Sequence, residues 1–446
     1  MSHTYSFMNL KSSTRIIAHI DMNSFFATVE QQANPRLRGR PLGVCAYLHE
    51  RGCLIAASVE AKRLGMKVGM RVEEAREKVP EAVFIQNEPA KYRSVIARVF
   101  AILRQISDRV EYYSIDEAFV DLTGLCRDTA EAAWLLSKVQ WRIQEEVGEW
   151  LKCSVGIAPN RRLAKLASDL KKPNGLVVFD PATINDTLAS LRVDALCGIG
   201  SRLRRRLNKA GLYTLLDVKR SSPQELIYLF GKSGFFLWAT LSGMDVDASF
   251  VDGHTDPKSV GHSYCVPRHV NQAGLVFPVF LRLLERAARR MRVIGKSASG
   301  MSVTVGIRKD DDKDEIHGWG FPFRYTRSLT HVFHEPADDS FTLIHHGAEL
   351  LHRLWSLNEE VSFLAVTFWG LVMPGDQLRF DGSSSLQTID TGAPWKRVSR
   401  AMDQICNRYG DEAIRFGSMV KLEDEAPDRI GFRKTVGVDV AQEDGW

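Results

Sequence analysis

Two adjacent acids, Asp116 and Glu117, sit in the stretch Tyr113-Ser114-Ile115-Asp116-Glu117-Ala118-Phe119, between runs that read as strands, Val110 to Tyr113 and Ala118 to Leu122. A third acid, Asp21, ends another apolar run, Ile16-Ile17-Ala18-His19-Ile20-Asp21, which reads as a short buried strand. A carboxylate near a buried sheet is costly unless it is solvated or compensated. A single acid at a strand end is ordinarily a solvated turn residue. Three that converge would instead offer the hard oxygen ligands that a divalent metal such as Mg²⁺ takes. Two such ions can clamp the attacking and leaving oxygens of an in-line phosphoryl displacement. A fold serving that chemistry must bring position 21 to positions 116 and 117.

The bulk of the chain sets the frame. Its 446 residues suggest about three domains at roughly 150 residues each. Apolar content of 44% and charged content of 25% are those of an ordinary soluble globular protein. No apolar run approaches the ~18 residues needed to span a bilayer, and Met1 to Lys11 lacks the pattern of a secretion signal. Seven cysteines without a Cys-x-x-Cys pair argue for free thiols in a reducing compartment, so a cytoplasmic location is expected. A net charge of +5 permits nucleic-acid binding without demanding it, so the placement of the charge is more informative.

Taken in order, the pattern after Asp21 becomes helical, with Phe25, Phe26, Val29 and Gln32 on neighbouring turns up to Asn34-Pro35. Phe25 and Phe26 point about 100° apart, so one can face the core while the other faces a cleft beside Asp21. Residues 40–46 and 53–57 read as strands, and Ser58 to Leu64 as a helix that Gly65 stops. Two long helices follow, one through Val95, Val99, Leu103 and Ile106, the other through Leu136, Val139 and Ile143. The hairpin of Asp116 and Glu117 lies between them and the strand Cys153 to Ala158 after them. Strand, helix, strand, strand, helix, strand is a split βαβ sheet, a fold that by itself does not separate polymerases from nucleotidyl cyclases. Asn160 to Gly175 carries Arg161, Arg162, Lys165, Lys171 and Lys172 against one acid, Asp169, as a solvated helix face would.

Residues 180 to 246 look all-helical. Within them Leu196-Cys197-Gly198-Ile199-Gly200 precedes a run bearing Arg202, Arg204, Arg205, Arg206 and Lys209 with no acid. Gly198 and Gly200 let the backbone approach a phosphate at the start of the next helix, a helix-hairpin-helix pattern for holding a DNA backbone without reading sequence. After a polar link, Met301, Val303, Val305 and Ile307 alternate with Ser302, Thr304, Gly306 and Arg308 as a half-buried strand. Phe280 to Ile294 is an amphipathic helix carrying Arg282, Arg286, Arg289, Arg290 and Arg292. The acidic run from Asp310 reads as an exposed loop, and Trp395 to Tyr409 as one amphipathic helix.

Four fragments occur in order: His19-Ile20-Asp21-Met22-Asn23-Ser24-Phe25-Phe26-Ala27, Tyr113-Ser114-Ile115-Asp116-Glu117-Ala118, Ser154-Val155-Gly156-Ile157-Ala158 and Lys171-Lys172-Pro173-Asn174-Gly175. Together they resemble the Y-family DNA polymerases, in particular the bacterial DNA polymerase IV branch, from about Arg15 to about Leu371. The resemblance implies an α+β, multidomain right hand. Residues 1–24 and 88–179 would form a ferredoxin-like palm, 25–87 small fingers, and 180–246 a helix-hairpin-helix thumb. Residues 247–257 would link these to an α/β little finger at 258–372, with a tail at 373–446.

It further implies a template-directed, low-fidelity translesion enzyme that adds a dNMP to a primer 3′-hydroxyl, acts as a monomer and uses two Mg²⁺ ions. Asp21, Asp116, Glu117 and the main-chain oxygen of Met22 would be the metal ligands. Phe26 would be the steric gate against a 2′-hydroxyl, and Phe25, Lys62 and Lys172 would contact the nucleotide. Gly198, Gly200, Arg202, Arg204 and Arg205 would contact DNA. The sequence departs from the family where Val59 and Lys62 replace a Tyr and an Arg on the triphosphate, losing a hydroxyl donor and a bidentate fork. Gln377, Leu378 and Phe380 would form a sliding-clamp peptide one residue short of the usual Gln-Leu-x-Leu-Phe. No stretch remains for a proofreading exonuclease. The competing readings are a polymerase-like scaffold without activity and a nucleotidyl cyclase on the same palm.

Overall fold

The computed structural model describes residues 15–48, 52–180, 184–246, 257–308, 325–373, 394–410, 413–420, 422 and 426. They fall into two compact units, one ending at 246 and one beginning at 257. The N-terminal unit runs β1 (Ile17–Met22), α1 (Phe25–Ala33), β2 (Leu42–Cys45), β3 (Leu54–Ala57), α2 (Val59–Arg63), α3 (Val72–Lys78), β4 (Val83–Gln86), α4 (Pro89–Arg104), β5 (Val110–Tyr112) and β6 (Glu117–Asp121). It continues with α5 (Thr129–Arg142), β7 (Cys153–Ala158), α6 (Arg161–Leu170) and β8 (Leu176–Val178), then α7 (Ile184–Ser190), α8 (Ser201–Lys209), α9 (Leu215–Arg220), α10 (Pro223–Phe230) and α11 (Lys232–Leu241).

The main sheet has the order β5-β6-β1-β7-β8, with β1 in the middle and buried throughout. Side chains alternate across a strand, and β1 uses both faces. Ala18, Ile20 and Met22 share a core with Tyr92, Val99 and Phe100 of α4 and Leu136 of α5. Ile17 joins Leu163 and Leu166 of α6 on the other face, so His19 and Asp21 also face α6. The first four strands are those of the split βαβ pattern. The fifth was not legible: β8 is only three half-buried residues, laid parallel to β7 after α6 crosses back over the sheet. Likewise, the segment 36–87 holds three strands where the sequence suggests two. β4 adds parallel to β2 in the order β3-β2-β4, and its four half-buried residues show no alternation of apolar and polar types.

The C-terminal unit comprises β9 (Ser259–Cys265), α12 (Arg268–Gln272), α13 (Val276–Val293), β10 (Ser297–Ile307), β11 (Thr326–Ala337), α14 (Ser340–Leu354), β12 (Val361–Val372) and α15 (Pro394–Tyr409). Its antiparallel sheet, β11-β10-β12-β9, is backed by α13 and α14. Phe280, Leu284 and Met301 are buried between them, and the absence of a side chain at Gly347 lets the helix approach Leu284. The arginines of α13 do not form a free polar face. Arg282 is buried and donates to the Leu422 carbonyl at 2.8 Å. Arg292 pairs with Asp403 of α15 at 2.6 Å, and Arg289 donates to Asn407 at 2.6 Å. The C-terminal segment therefore covers a helix side that looks solvent-facing in sequence. The acidic run from Asp310 lies outside the described residues.

One close backbone approach in the N-terminal unit is at Gly156 of β7. A Cβ there would stand 2.0 Å from the Ala164 carbonyl oxygen and 2.3 Å from the Ser168 amide nitrogen of α6. Neither atom can swing aside as a side chain would. Gly156→Ala should therefore push α6 off the sheet and cost about 1–3 kcal/mol, read as a lower urea midpoint. An unchanged midpoint would show that α6 does not sit this close to β7.

Candidate active site

The register of the sheet sets the site. Asp21 of β1 stands directly opposite Glu117, the first residue of β6, so Glu117 belongs to the strand rather than to the turn before it. Opposed residues in an antiparallel pair point to the same face with Cβ atoms about 4.5–5.5 Å apart, and like charges there repel. Two side chains answer the Glu117 charge. His19 Nε2 is hydrogen-bonded to Glu117 Oε2 at 3.3 Å, and its Nδ1 to Ser168 Oγ of α6 at 2.7 Å. Lys165 Nζ donates to the same Glu117 oxygen at 2.5 Å. Burial pushes the Glu117 carboxyl up, but the His19 hydrogen bond and the Lys165 ammonium outweigh it and hold the group down to about 2. Burial also lowers His19 and so favours its neutral form.

Asp116 lies one residue earlier, its carbonyl accepting from the Met22 amide at 3.0 Å. The Ser114 hydroxyl donates to Asp116 Oδ1 at 2.6 Å. Burial raises the Asp116 carboxyl to about 6; the charges of Asp21 and Glu117 add to the rise and the Ser114 hydrogen bond opposes it. Asp21 is raised by burial against the pull of Lys172, whose Nζ donates to Asp21 Oδ2 at 2.8 Å. Lys172 also pairs with Asp169 at 2.8 Å; burial lowers this ammonium, and the two carboxylates raise it further.

Three acids that disfavour one another's charge, Asp21 buried and Asp116 and Glu117 half-buried, two of them answered by lysines, form a donor set suited to a divalent cation. They are not a tight cage. Among the described residues, three metal-ligating atoms come within 4.8 Å of one another only at His345, His346 and Glu349 of the C-terminal unit. A pair of ions about 3.5–4 Å apart needs a wider spread of oxygens than a single ion does.

Beside the acids opens a cleft of about 570 Å³ in which Asp21, Asp116, Phe26, Val59, Lys62 and Lys172 take part. Glu117 stands next to Asp21, behind this wall. Phe25 and Phe26 do not divide between core and cleft: both line the cleft and both are buried, at 2% and 8% exposure. The Phe26 ring lies 4.7 Å from that of Tyr92, whose hydroxyl donates to the buried Glu30 at 2.8 Å, so it has a stiff backing. Lys62 Nζ donates to Ser24 Oγ at 2.9 Å; burial and the neighbouring Lys172 charge lower its pKa. Arg63 also lines the cleft, one turn residue beyond the position expected to hold the cation.

Sequence reasoning passed over three residues here. Lys165 reads as part of a solvated face, but it turns inward to Glu117. His19 is two residues from Asp21 on a strand, and that spacing puts it on the same face. Asn23 accepts from the Asn174 amide at 2.7 Å and donates to Ser154 Oγ at 2.9 Å, tying the Lys172 loop to β1 and β7. Elsewhere in the N-terminal unit, Gly198 has a φ of +99°, which favours glycine, and Gly200 precedes α8. Arg202 and Arg205 are exposed, whereas Arg204 is tied to Asp194 at 2.8 Å. Gln377, Leu378 and Phe380 lie outside the described residues.

Comparison with known proteins bears on this geometry directly. The impB/mucB/samB family matches residues 20–169, and the C-terminal domain of the same family matches residues 257–381. DNA polymerase IV of Moorella thermoacetica is 36% identical over 408 residues, which cover 90% of this chain and 96% of that protein. DNA polymerase IV of Pelotomaculum thermopropionicum is 33% identical over 397 residues, covering 88% and 92%. Among solved structures, a Y-family DNA polymerase chimera of Dbh and Dpo4 matches with a TM-score of 0.66 at 27% identity, covering 80% of this chain and 99% of its own. An insertion ternary complex of Dbh DNA polymerase matches with a TM-score of 0.53 at 26% identity and the same coverage. By its sequence along most of its length and by its fold, the chain belongs to the Y-family DNA polymerases, the impB/mucB/samB family.

Proposed function

We propose that this translesion DNA polymerase extends a primer 3′-hydroxyl on template DNA with Asp21, Asp116, Glu117 and the Met22 carbonyl as ligands of two Mg²⁺ ions. The observation that carries the reading is the cross-strand pair Asp21–Glu117, with Asp116 beside it, at the edge of a cleft. When bound, the ions supply Lewis acidity that lowers the pKa of the 3′-hydroxyl and neutralises charge as pyrophosphate departs. His19 and Lys165 keep Glu117 ionised and aimed. Lys172, now on Asp21 and Asp169, is the cation best placed to move to triphosphate oxygens, where it acts as a point charge. Lys62 and Phe25 complete the nucleotide contacts, and Phe26 closes the space a 2′-hydroxyl would need. A scaffold that had lost its chemistry would have no use for a Glu117 held ionised by a buried imidazole and an ammonium.

In this reading β1 and the segment 88–179 form the palm, residues 25–87 the fingers, and 180–246 the thumb. The unit from 258 is the little finger of the polymerase fold. Gly198, Gly200, Arg202 and Arg205 would hold the DNA backbone, with Arg204 shared with Asp194. No helix among the described residues is long and apolar enough to cross a membrane, and a monomer in the cytoplasm suits the chemistry. The Gln377-Leu378-Arg379-Phe380 segment would dock on a sliding clamp through Leu378 and Phe380.

Primer extension tests the core of this reading. With Mg²⁺ and dNTPs the wild type should extend, and Asp116→Asn should lose at least about a hundredfold in rate. Phe26→Ala should admit ribonucleotides in the same assay and cost about 3 kcal/mol of stability for the buried ring. Unchanged sugar selectivity would remove Phe26 from the gate. Alanine at Leu378 and Phe380 should abolish clamp-stimulated synthesis while unassisted synthesis stays intact, and equal loss of both would exclude clamp docking.

A further inference from the structure

We propose that α14 of the C-terminal unit carries a separate metal site of the Zn²⁺ class, formed by His345, His346 and Glu349. The spacing is the first ground: Glu349 follows His345 by four residues and His346 by three, so both imidazoles reach one carboxylate on a single helix turn. The distances are the second. His345 Nε2 lies 3.5 Å from Glu349 Oε1, and His346 Nδ1 lies 3.4 Å from Glu349 Oε2. All three ligand atoms are within 4.8 Å of one another. Bonds of about 2.0–2.1 Å in a tetrahedral site place neighbouring ligand atoms about 3.3–3.4 Å apart. Each imidazole nitrogen thus already lies about one such edge from an oxygen of Glu349, and closing the three ligand atoms from within 4.8 Å onto one ion needs only side-chain adjustment.

The third ground is an unmet donor. His346 Nδ1 is buried and has no hydrogen-bond partner; Glu349 approaches it at ion-pair range without making the bond. A metal ion would satisfy that nitrogen, as a surface His–Glu pair worth a few tenths of a kcal/mol does not. The ring is also held in place. His346 stacks on His331 of β11, centroids 4.0 Å apart and planes 17° apart, with the Phe333 ring edge-on at 5.6 Å.

Two imidazoles and one carboxylate select Zn²⁺ or a neighbouring transition metal over Mg²⁺, the reverse of the all-oxygen set at Asp21, Asp116 and Glu117. His345 and Glu349 are exposed, at 69% and 57% of their side chains, so the fourth position opens to solvent. Such an ion would brace α14, because its ligands cannot hold it once the helix unwinds.

The test uses full-length, tag-free protein titrated with Zn²⁺ alone against a chromophoric chelator, then with Co²⁺ to read the ligand set. One Zn²⁺ per chain should bind, with affinity at least about tenfold lower in His345→Ala and in Glu349→Gln. Zn²⁺ should raise the melting temperature of the wild type but not of these variants, and Mg²⁺-dependent primer extension should be unchanged in both. Equal Zn²⁺ affinity in the wild type and a His345→Ala/Glu349→Gln double variant would overturn the site. So would thiolate-to-Co²⁺ charge transfer, which would assign the metal to the free cysteines instead.

Discussion

Two carboxylates set opposite each other on neighbouring strands make the interaction on which the rest of this molecule depends. Asp21 and Glu117 pair across β1 and β6 on the face that α6 covers, where neither can be fully solvated. Repulsion at such a pair disfavours the sheet unless positive charge is brought in. The chain brings it from one side of the sheet only. Lys165 comes from the middle of α6 and Lys172 from the loop that follows it. The close backbone packing of α6 on β7 at Gly156 is what puts those ammoniums within reach. Asp116, without a lysine of its own, is left with a carboxyl shifted to about 6.

That imbalance connects stability to chemistry. A group whose pKa is raised in the folded state costs stability as pH rises through the folded value, so ionised Asp116 strains the site above about pH 6. Glu117 behaves in the opposite sense: held at about 2, it contributes stability above its unfolded pKa that is lost only at low pH. One acid is thus fixed as an anion by the fold, while its neighbour ionises only at a cost in stability. The aromatic wall follows the same economy of parts. Phe26 is stiffened by Tyr92, and Tyr92 by Glu30, so a residue of the core also shapes the cleft.

Much of this was legible in the sequence because its signals are local. Short apolar runs ending at Asp21 and flanking Asp116-Glu117 marked the strands, and four short motifs in order marked the family. What escaped was long-range or weakly patterned. β8 and β4 are short, half-buried and without alternation, so only their partners define them. Lys165 belongs to a basic run that would suit any solvated helix, and only the packing of α6 reveals that it turns inward. Arg282 and Arg292 of α13 look like a polar face until α15 and Leu422 cover them from more than a hundred residues away. His346 carried no signal at all, since its stacking partner lies on a different element.

The central claim, that a divalent cation relieves the charge crowding among Asp21, Asp116 and Glu117, is tested most directly by following Mn²⁺ binding against pH by electron paramagnetic resonance, using protein whose α14 histidines are replaced. A proton on Asp116 competes with the metal, so affinity should fall as pH drops through about 6, by up to about tenfold per unit. That dependence should disappear in Asp116→Asn. An affinity that stays flat between pH 5 and 8 in the wild type, or a pH dependence that survives the Asn variant, would contradict the account.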